Sequence, residues 1–356
     1  MATASDPVVI VSAARTPLGK FLGDLSPFSA HKLGSHVIGA AVERAKLSPE
    51  RVDEVFMGCV LPAGQGQAPA RQAARGAKLP DATGATTINK VCGSSMKATM
   101  LAHDIINAGS AEIVVSGGME SMSNAPYLLA KARGGYRAGH DRIIDHMMMD
   151  GLEDAYEVGR SMGDFGEQTA EAYQFSRKDQ DTYAMETLTR ARKAVEGGAF
   201  KAEIVSLTVT EKAGPRSIGN DEIPLKVDPA KIPRLKPAFR ANGTITPAAS
   251  SANADGAAAL ILARRSLAER DGPADTRRDQ GSRHPQPGTA MVHDRADPRD
   301  PQATRQGRLE RRRRRSVRDQ RGLRGDTDGG GARSRHPARQ TQHQWRRLCA
   351  RPPHWR

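Results

Sequence analysis

Cys92 is the residue whose neighbours best suit it to chemistry. It lies in Asn89-Lys-Val-Cys-Gly-Ser-Ser-Met. Before it, Thr83–Ile88 reads as a strand, and after it a helical pattern extends to Ile106. A strand, a tight turn and a helix place the thiol at a helix N-terminus. Unpaired N–H groups and the positive end of the macrodipole favour thiolate there. The same N–H groups can hold the oxygen of a tetrahedral intermediate. Gly93, Ser94 and Ser95 keep the turn small enough for a carbonyl to approach. A thiolate attacking an acyl thioester yields an enzyme thioester, which a second thiol or a carbanion can take over.

The competing reading of a free cysteine is core filling. Cys59, in Met57-Gly-Cys-Val, follows a strand pattern and reads as packing. Cys349 lies in a C-terminal stretch without a core and is given no role. The three cysteines have no metal-ligand spacing, and their odd number argues against a disulfide framework, so a reducing compartment is expected. A cysteine nucleophile needs a base. His103 follows Cys92 in the same helical pattern and lies about 16 Å along its axis, out of reach. His31, His36, His140 and His146 carry no local signature and read as core or surface histidines.

The elements that must position Cys92 alternate. Residues 7–13 read as a strand, 28–46 as a helix, 52–60 as a strand, 68–77 as a short helix, and 113–116 as the strand after the Cys92 helix. Such alternation defines an α/β layered domain. From about Ser121 to Ile245 the pattern changes, with helices near 162–173 and 177–197. Ser176 is a plausible N-cap of the second, with Asp179 in its first turn. This stretch reads as an insertion over the core, where substrate loops tend to sit. Residues 252–264 return to a strand pattern.

The formal charge of +14 on 356 residues invites a nucleic-acid reading, but its location argues otherwise. Of the 54 basic residues 22 lie in 272–356, all arginine, against 9 of the 40 acidic ones, so the body is nearly neutral. The tail has no Ile, Phe, Tyr or Lys and too few large apolar groups to bury a core. Its polyanion affinity would be nonspecific and would fall with salt. No apolar run reaches membrane-spanning length, and the first residues carry neither a basic nor an apolar leader pattern. A cytoplasmic protein is expected.

Several stretches together resemble the thiolase family, both 3-ketoacyl-CoA thiolases and acetyl-CoA acetyltransferases. They are Val11-Ser-Ala-Ala-Arg-Thr-Pro, Gly64-Gln-Gly-Gln-Ala-Pro-Ala-Arg-Gln-Ala, the Cys92 segment, and Gly117-Gly-Met-Glu-Ser-Met-Ser. Met162-Gly, Thr169-Ala-Glu, Phe239, Gly243-Thr-Ile-Thr and Asp255-Gly-Ala-Ala-Ala continue the family order. The resemblance implies an α/β thiolase-like fold, a βαβαβαββ layered half with an inserted loop domain. It divides the chain into an α/β domain over 1–120, an inserted loop domain over 121–246, and returning strands over 247–271. It implies that Cys92 carries the acyl group. Ser251 resembles the family serine near the pantetheine, and Leu152 a residue lining the acyl or pantetheine tunnel. Ser161 stands where a histidine is usual. The expected partners are acetyl-CoA, acyl-CoA and CoA as substrates, in fatty acid metabolism, with no resident cofactor or metal and no specific nucleic-acid or membrane partner. The Gly64–Ala73 loop resembles a dimer contact, so an intact relative is expected to be a homo-oligomer.

The family's second half should follow residue 271, and its Asn-Glu-Ala-Phe, Gly-His-Pro and second-cysteine motifs are missing as written. Reading each tail codon one base later would permit them. Gln320-Arg-Gly-Leu-Arg then permits Asn-Glu-Ala-Phe-Ala, and Arg347 to His354 permits Ala-Cys-Ala-Leu-Gly-His-Pro-Ile. The segment 272–356 therefore reads as a second half translated out of frame, non-globular as written. Three functions stay open: a thiolase acyltransferase, an inactive frameshifted fragment of one, and, more remotely, a nucleic-acid binder through the basic tail.

Overall fold

The structure is a computed structural model that describes residues 6–212 and 214–271. The expected non-globular tail, with Cys349 and the shifted motifs, lies outside the described residues.

The strands are β1 (Val8–Arg15), β2 (Gly19–Lys20), β3 (Glu54–Gly58), β4 (Gly84–Ile88), β5 (Ile113–Ser121), β6 (Tyr127–Leu128), β7 (Ile144–Asp145), β8 (Leu207–Glu211), β9 (Gly214–Ile218) and β10 (Ala254–Arg264). The α-helices are α1 (Ala30–Arg44), α2 (Pro69–Gly76), α3 (Ser94–Asn107), α4 (Met162–Ala172), α5 (Arg177–Glu196), α6 (Glu222–Lys226) and α7 (Arg265–Asp271). The main sheet has the order β1-β10-β5-β3-β4, with β2 paired to β10. Strands β3, β4 and β5 pair in parallel, while β10 runs antiparallel between β1 and β5. Apart from the short β2, the core order β1-α1-β3-α2-β4-α3-β5-β10 is the expected βαβαβαββ half.

Period-2 side-chain alternation assigns the two faces of this sheet. Ile113 and Val115 of β5 and Ile261 and Ala263 of β10 join the core with Leu33, Val37 and Ile38 of α1 and Ala70, Ala73 and Ala74 of α2. Val114 and Leu262 point the other way and pack with Ala102 and Ile106 of α3. The second core is the smaller. Helix α3 buries Ala98, Ala102 and Ile106 at helical spacing and leaves Met96 and Met100 exposed at 72% and 52%.

The helix and strand patterns of residues 7–116 hold, with ends moved by a few residues; β5 runs on to Ser121 because it is paired with β10 along its whole length. In the insertion the two expected helices are α4 and α5. Ser176 caps α5, accepting from the Asp179 N–H, while the Asp179 carboxylate accepts from the Ser176 N–H at 3.1 Å. The hairpins β6–β7 and β8–β9 and the short α6 were not readable in advance: their runs are two to five residues long.

Acidic side chains of the insertion fasten it to the loop after β1. Asp221 accepts two bonds from the Arg15 guanidinium, at 2.7 and 3.0 Å, and one from the Leu18 N–H at 2.8 Å. The neighbouring Glu222 accepts from Lys20 N, Asp24 N and Lys226 Nζ at 2.9, 3.0 and 2.7 Å. Both carboxylates are buried, and these donors offset the cost of removing them from water.

Candidate active site

Strand β4 ends at Ile88, and six residues later α3 begins. The connecting turn is bound tightly. Asn89 Oδ1 accepts from Val91 N at 2.9 Å, Lys90 O accepts from Gly93 N at 3.0 Å, and Val91 O accepts from Ser94 N at 3.1 Å. Ser94 Oγ accepts from Lys90 N at 2.9 Å and donates to Val91 O at 2.6 Å. Val91 is driven to φ +47°, a left-handed conformation that a β-branched residue rarely adopts. Strain of this kind persists only where surrounding structure over-determines it. The result is an exposed Cys92 immediately before Gly93, the N-cap of α3.

The sheet beneath that helix start is cut away by glycine. Gly58, the last residue of β3, and Gly118, within β5, are register partners. A Cβ on Gly58 would meet Ser95 N at 2.7 Å, and one on Gly118 would meet Ser95 Oγ at 1.8 Å. Their missing side chains let the first turn of α3 rest on the backbone of the sheet.

Beside the turn lies a half-buried polar cluster. Glu120, near the end of β5, accepts from Val60 N at 2.7 Å and Leu61 N at 3.0 Å. Cys59 Sγ lies 3.6 Å from Glu120 Oε1 and 3.4 Å from Gln65 Nε2. Burial, joined by the nearby Glu120 charge, pushes the Cys59 thiol up to about 12. Burial also raises Glu120 against the pull of the two backbone N–H groups. Cys59 is thus buried, as expected, but it faces polar partners as well as core.

None of the described histidines hydrogen-bonds to Cys92. His36 Nε2 meets Ser206 O at 2.9 Å, His146 Nδ1 meets Asp150 Oδ2 at 2.6 Å, and His103 meets the side chain of Asn107. Among the described residues no cluster of His, Cys, Asp and Glu has the form of a metal site. No described helix is long and apolar enough to cross a membrane.

The remaining motif residues converge elsewhere. Gly163 packs against the Phe239 ring, where a Cβ would come within 2.1 Å. Glu167 of α4 accepts from Thr244 N and Ile245 N at about 3 Å. Ser161 begins α4 by donating from both its N–H and its Oγ to Asp164 Oδ2, at 3.0 and 2.9 Å, so its hydroxyl serves the helix end. Ser251 lines a largely apolar cavity of about 1000 Å³ together with Leu18, Tyr183, Leu188, Phe200 and Ile223. Neither Cys92 nor Leu152 lines that cavity. Leu152 is half-buried at the end of a π-helical turn, Met148–Leu152.

Sequence reasoning singled out Cys92 and missed its supports. Glu120 was visible only as a letter in the Gly117-Gly-Met-Glu-Ser-Met-Ser motif. Nothing local announced the strained φ of Val91 or the pairing of Gly58 with Gly118, since the first depends on the closed turn and the second on sheet register.

An α/β half-layer with a cysteine at a strand–turn–helix junction and a long insertion before its last strand defines the class. The profile of the family described as thiolase, N-terminal domain, matches residues 8–266, and the chain belongs to the thiolase family. It is 50% identical over 258 residues to acetyl-CoA acetyltransferase 2 of Arabidopsis thaliana, covering 72% of this chain and 64% of that protein. It is 48% identical over 265 residues to the mitochondrial acetyl-CoA acetyltransferase of Bos taurus, covering 74% and 62%. The Acat5 thiolase of Ascaris suum, solved in complex with coenzyme A, superposes with a TM-score of 0.70 at 38% identity, covering 74% of this chain and 67% of that one. The acetyl-CoA acetyltransferase of Syntrophomonas wolfei gives a TM-score of 0.71 at 36% identity, covering 75% and 67%. The matched region spans less than two thirds of the length of these two curated relatives.

Proposed function

We propose that this chain is a thiolase-type acyltransferase in which Cys92 takes an acyl group from a CoA thioester. The observation that carries the reading is the exposed thiol at the start of α3, in a chain related to proteins named acetyl-CoA acetyltransferases. In the first half-reaction Cys92 Sγ attacks the thioester carbonyl. A bond forms between Sγ and the acyl carbon, the bond from that carbon to the CoA sulfur breaks, and the Cys92 proton leaves with CoA as free thiol. Free N–H groups of the α3 first turn are the candidate donors to the transient oxyanion. In the second half-reaction Cys92 is displaced either by a CoA thiol, whose proton returns to Cys92 Sγ, or by C2 of acetyl-CoA, whose departing C2 proton ends on Cys92 Sγ. The first regenerates acyl-CoA; the second gives 3-oxoacyl-CoA. CoA thioesters are substrates in this scheme, and Ser251 and Leu152 are candidate contacts for their pantetheine or acyl parts. The Ascaris suum thiolase bound to coenzyme A supports that substrate class.

A second reading, an inactive fragment in which the cycle is not completed, draws on the exposed Met96 and Met100 of α3. CoA-dependent thiolysis of acetoacetyl-CoA runs the carbanion step in reverse and separates the two: Cys92 Sγ bonds to the 3-oxo carbon, the C2–C3 bond breaks, C2 leaves protonated as acetyl-CoA, and CoA then takes the acetyl group. The acyltransferase predicts turnover that disappears in Cys92→Ser. Absence of turnover in the purified full chain, with Cys92 still acylated by acetyl-CoA, selects the fragment.

A further inference from the structure

The geometry points to Glu120 as a positioning residue for Cys92, acting through residues 59–61 and Asn89. The inference rests on the acyl-transfer reading of Cys92 and adds to it the device that holds the nucleophile's turn.

The path is continuous. Both oxygens of the Glu120 carboxylate are engaged by successive backbone donors, Val60 N at 2.7 Å and Leu61 N at 3.0 Å. This fixes the segment that leaves β3. The same segment meets the Cys92 turn at two points. Cys59 N donates to Ile88 O at 3.0 Å, and Val60 O accepts from Asn89 Nδ2 at 3.5 Å. The other end of the Asn89 amide accepts from Val91 N at 2.9 Å. Val91 is the residue with φ +47°, next to Cys92. A carboxylate on β5 is thus tied, through one peptide segment and one amide, to the strained residue that presents the thiol.

Chemistry makes the carboxylate hard to replace. Two parallel N–H donors need two acceptors, and an ionised carboxylate offers both. A glutamine has the same shape, yet it must turn its NH2 toward one of the two donors. One buried N–H then loses its partner, and the segment shifts or opens to satisfy it. Lost positioning therefore predicts a slower reaction of Cys92 in Glu120→Gln.

The test uses the full chain and iodoacetamide, which needs no CoA site, so it stands even if acyl transfer fails. Peptide-resolved alkylation of Cys92 at fixed pH is compared in wild type, Glu120→Gln, Asn89→Ala and the double variant, with Cys92→Ser as the blank. A misplaced reacting group loses rate steeply, so each single variant is expected to slow Cys92 alkylation by about tenfold. Because both act on one path, the double variant is expected to be no slower than the slower single, whereas independent sites would multiply. Amide exchange at residues 91–94 is expected to quicken in Glu120→Gln. Faster or unchanged alkylation in Glu120→Gln, or multiplying effects in the double variant, overturns the proposal. If Glu120→Gln does not fold, Asn89→Ala decides by itself, because Asn89 is exposed and its loss spares the core; unchanged alkylation there also overturns it.

Discussion

Gly58 and Gly118 face each other across the parallel pair β3–β5, and the first turn of α3 sits on both. Their consequences differ. The Cβ of Gly58→Ala would press on the backbone of Ser94 and Ser95, which cannot rotate away. That of Gly118→Ala would press on Ser95 Oγ, which can. Gly58→Ala is expected to cost about 1–3 kcal/mol, the usual range for overpacking. Gly118→Ala is expected to cost less and to be relieved by Ser95→Ala. Denaturant titrations of the three variants check this order; equal losses at both glycines would count against it.

The two described cysteines should separate by reactivity. Cys59 is buried, and burial beside Glu120 pushes its thiol up to about 12. Cys92 is exposed. At neutral pH, native-state alkylation followed by peptide mapping should label Cys92 and spare Cys59 until denaturant is added. Labelling of Cys59 at a comparable rate in the folded protein would show that the cluster around Glu120 is open.

Much of this arrangement was legible in advance. The apolar runs of β1, β5 and β10 and the spacing of Leu33, Val37 and Ile38 reveal an α/β layer, because burial on a sheet or helix face imposes those periods. Cys92 stood out because a small-residue turn before a helical pattern is itself a local signal. The junction of Asp221 and Glu222 with residues 15–24 was not legible. Its partners lie about two hundred residues apart, and no local period encodes a pairing at that distance. The cavity that Ser251 shares with α5 is hidden for the same reason.

Val91 offers a test of strain. At φ +47° a non-glycine residue carries roughly 1–2 kcal/mol of backbone cost. Val91→Gly removes that cost but frees the turn in the unfolded and native states alike. Its melting temperature should therefore stay near wild type while the rate of Cys92 acylation falls. A large loss of stability, measured by thermal melting, would mean that the Val91 side chain rather than its backbone is what matters.

The insertion should detach first in acid. Burial pushes Glu222 up, but Lys226 and the N–H groups of Asp24 and Lys20 prevail and hold it below the ordinary glutamate value of 4.5. Burial likewise opposes, and Arg216 and Lys226 outweigh it, in lowering Asp24 below 3.8. Groups whose native values are depressed stabilise the fold above their unfolded values and lose that contribution as pH falls through the native ones. Melting temperature should decline on acidification below about pH 4.5, the ordinary range of carboxylates. Glu222→Gln should lower the plateau at neutral pH and flatten the acid limb. An acid limb unchanged by Glu222→Gln would place the acid sensitivity elsewhere.

The central claim is that Cys92 accepts the acyl group, and peptide-resolved mass analysis after acid quenching of the full chain with acetyl-CoA tests it most directly. The account predicts one acetyl group on the peptide containing Cys92, removed by added CoA and absent from Cys92→Ser. Acetylation confined to another residue, or a Cys92→Ser protein that still takes up acetyl and returns it to CoA, would contradict it.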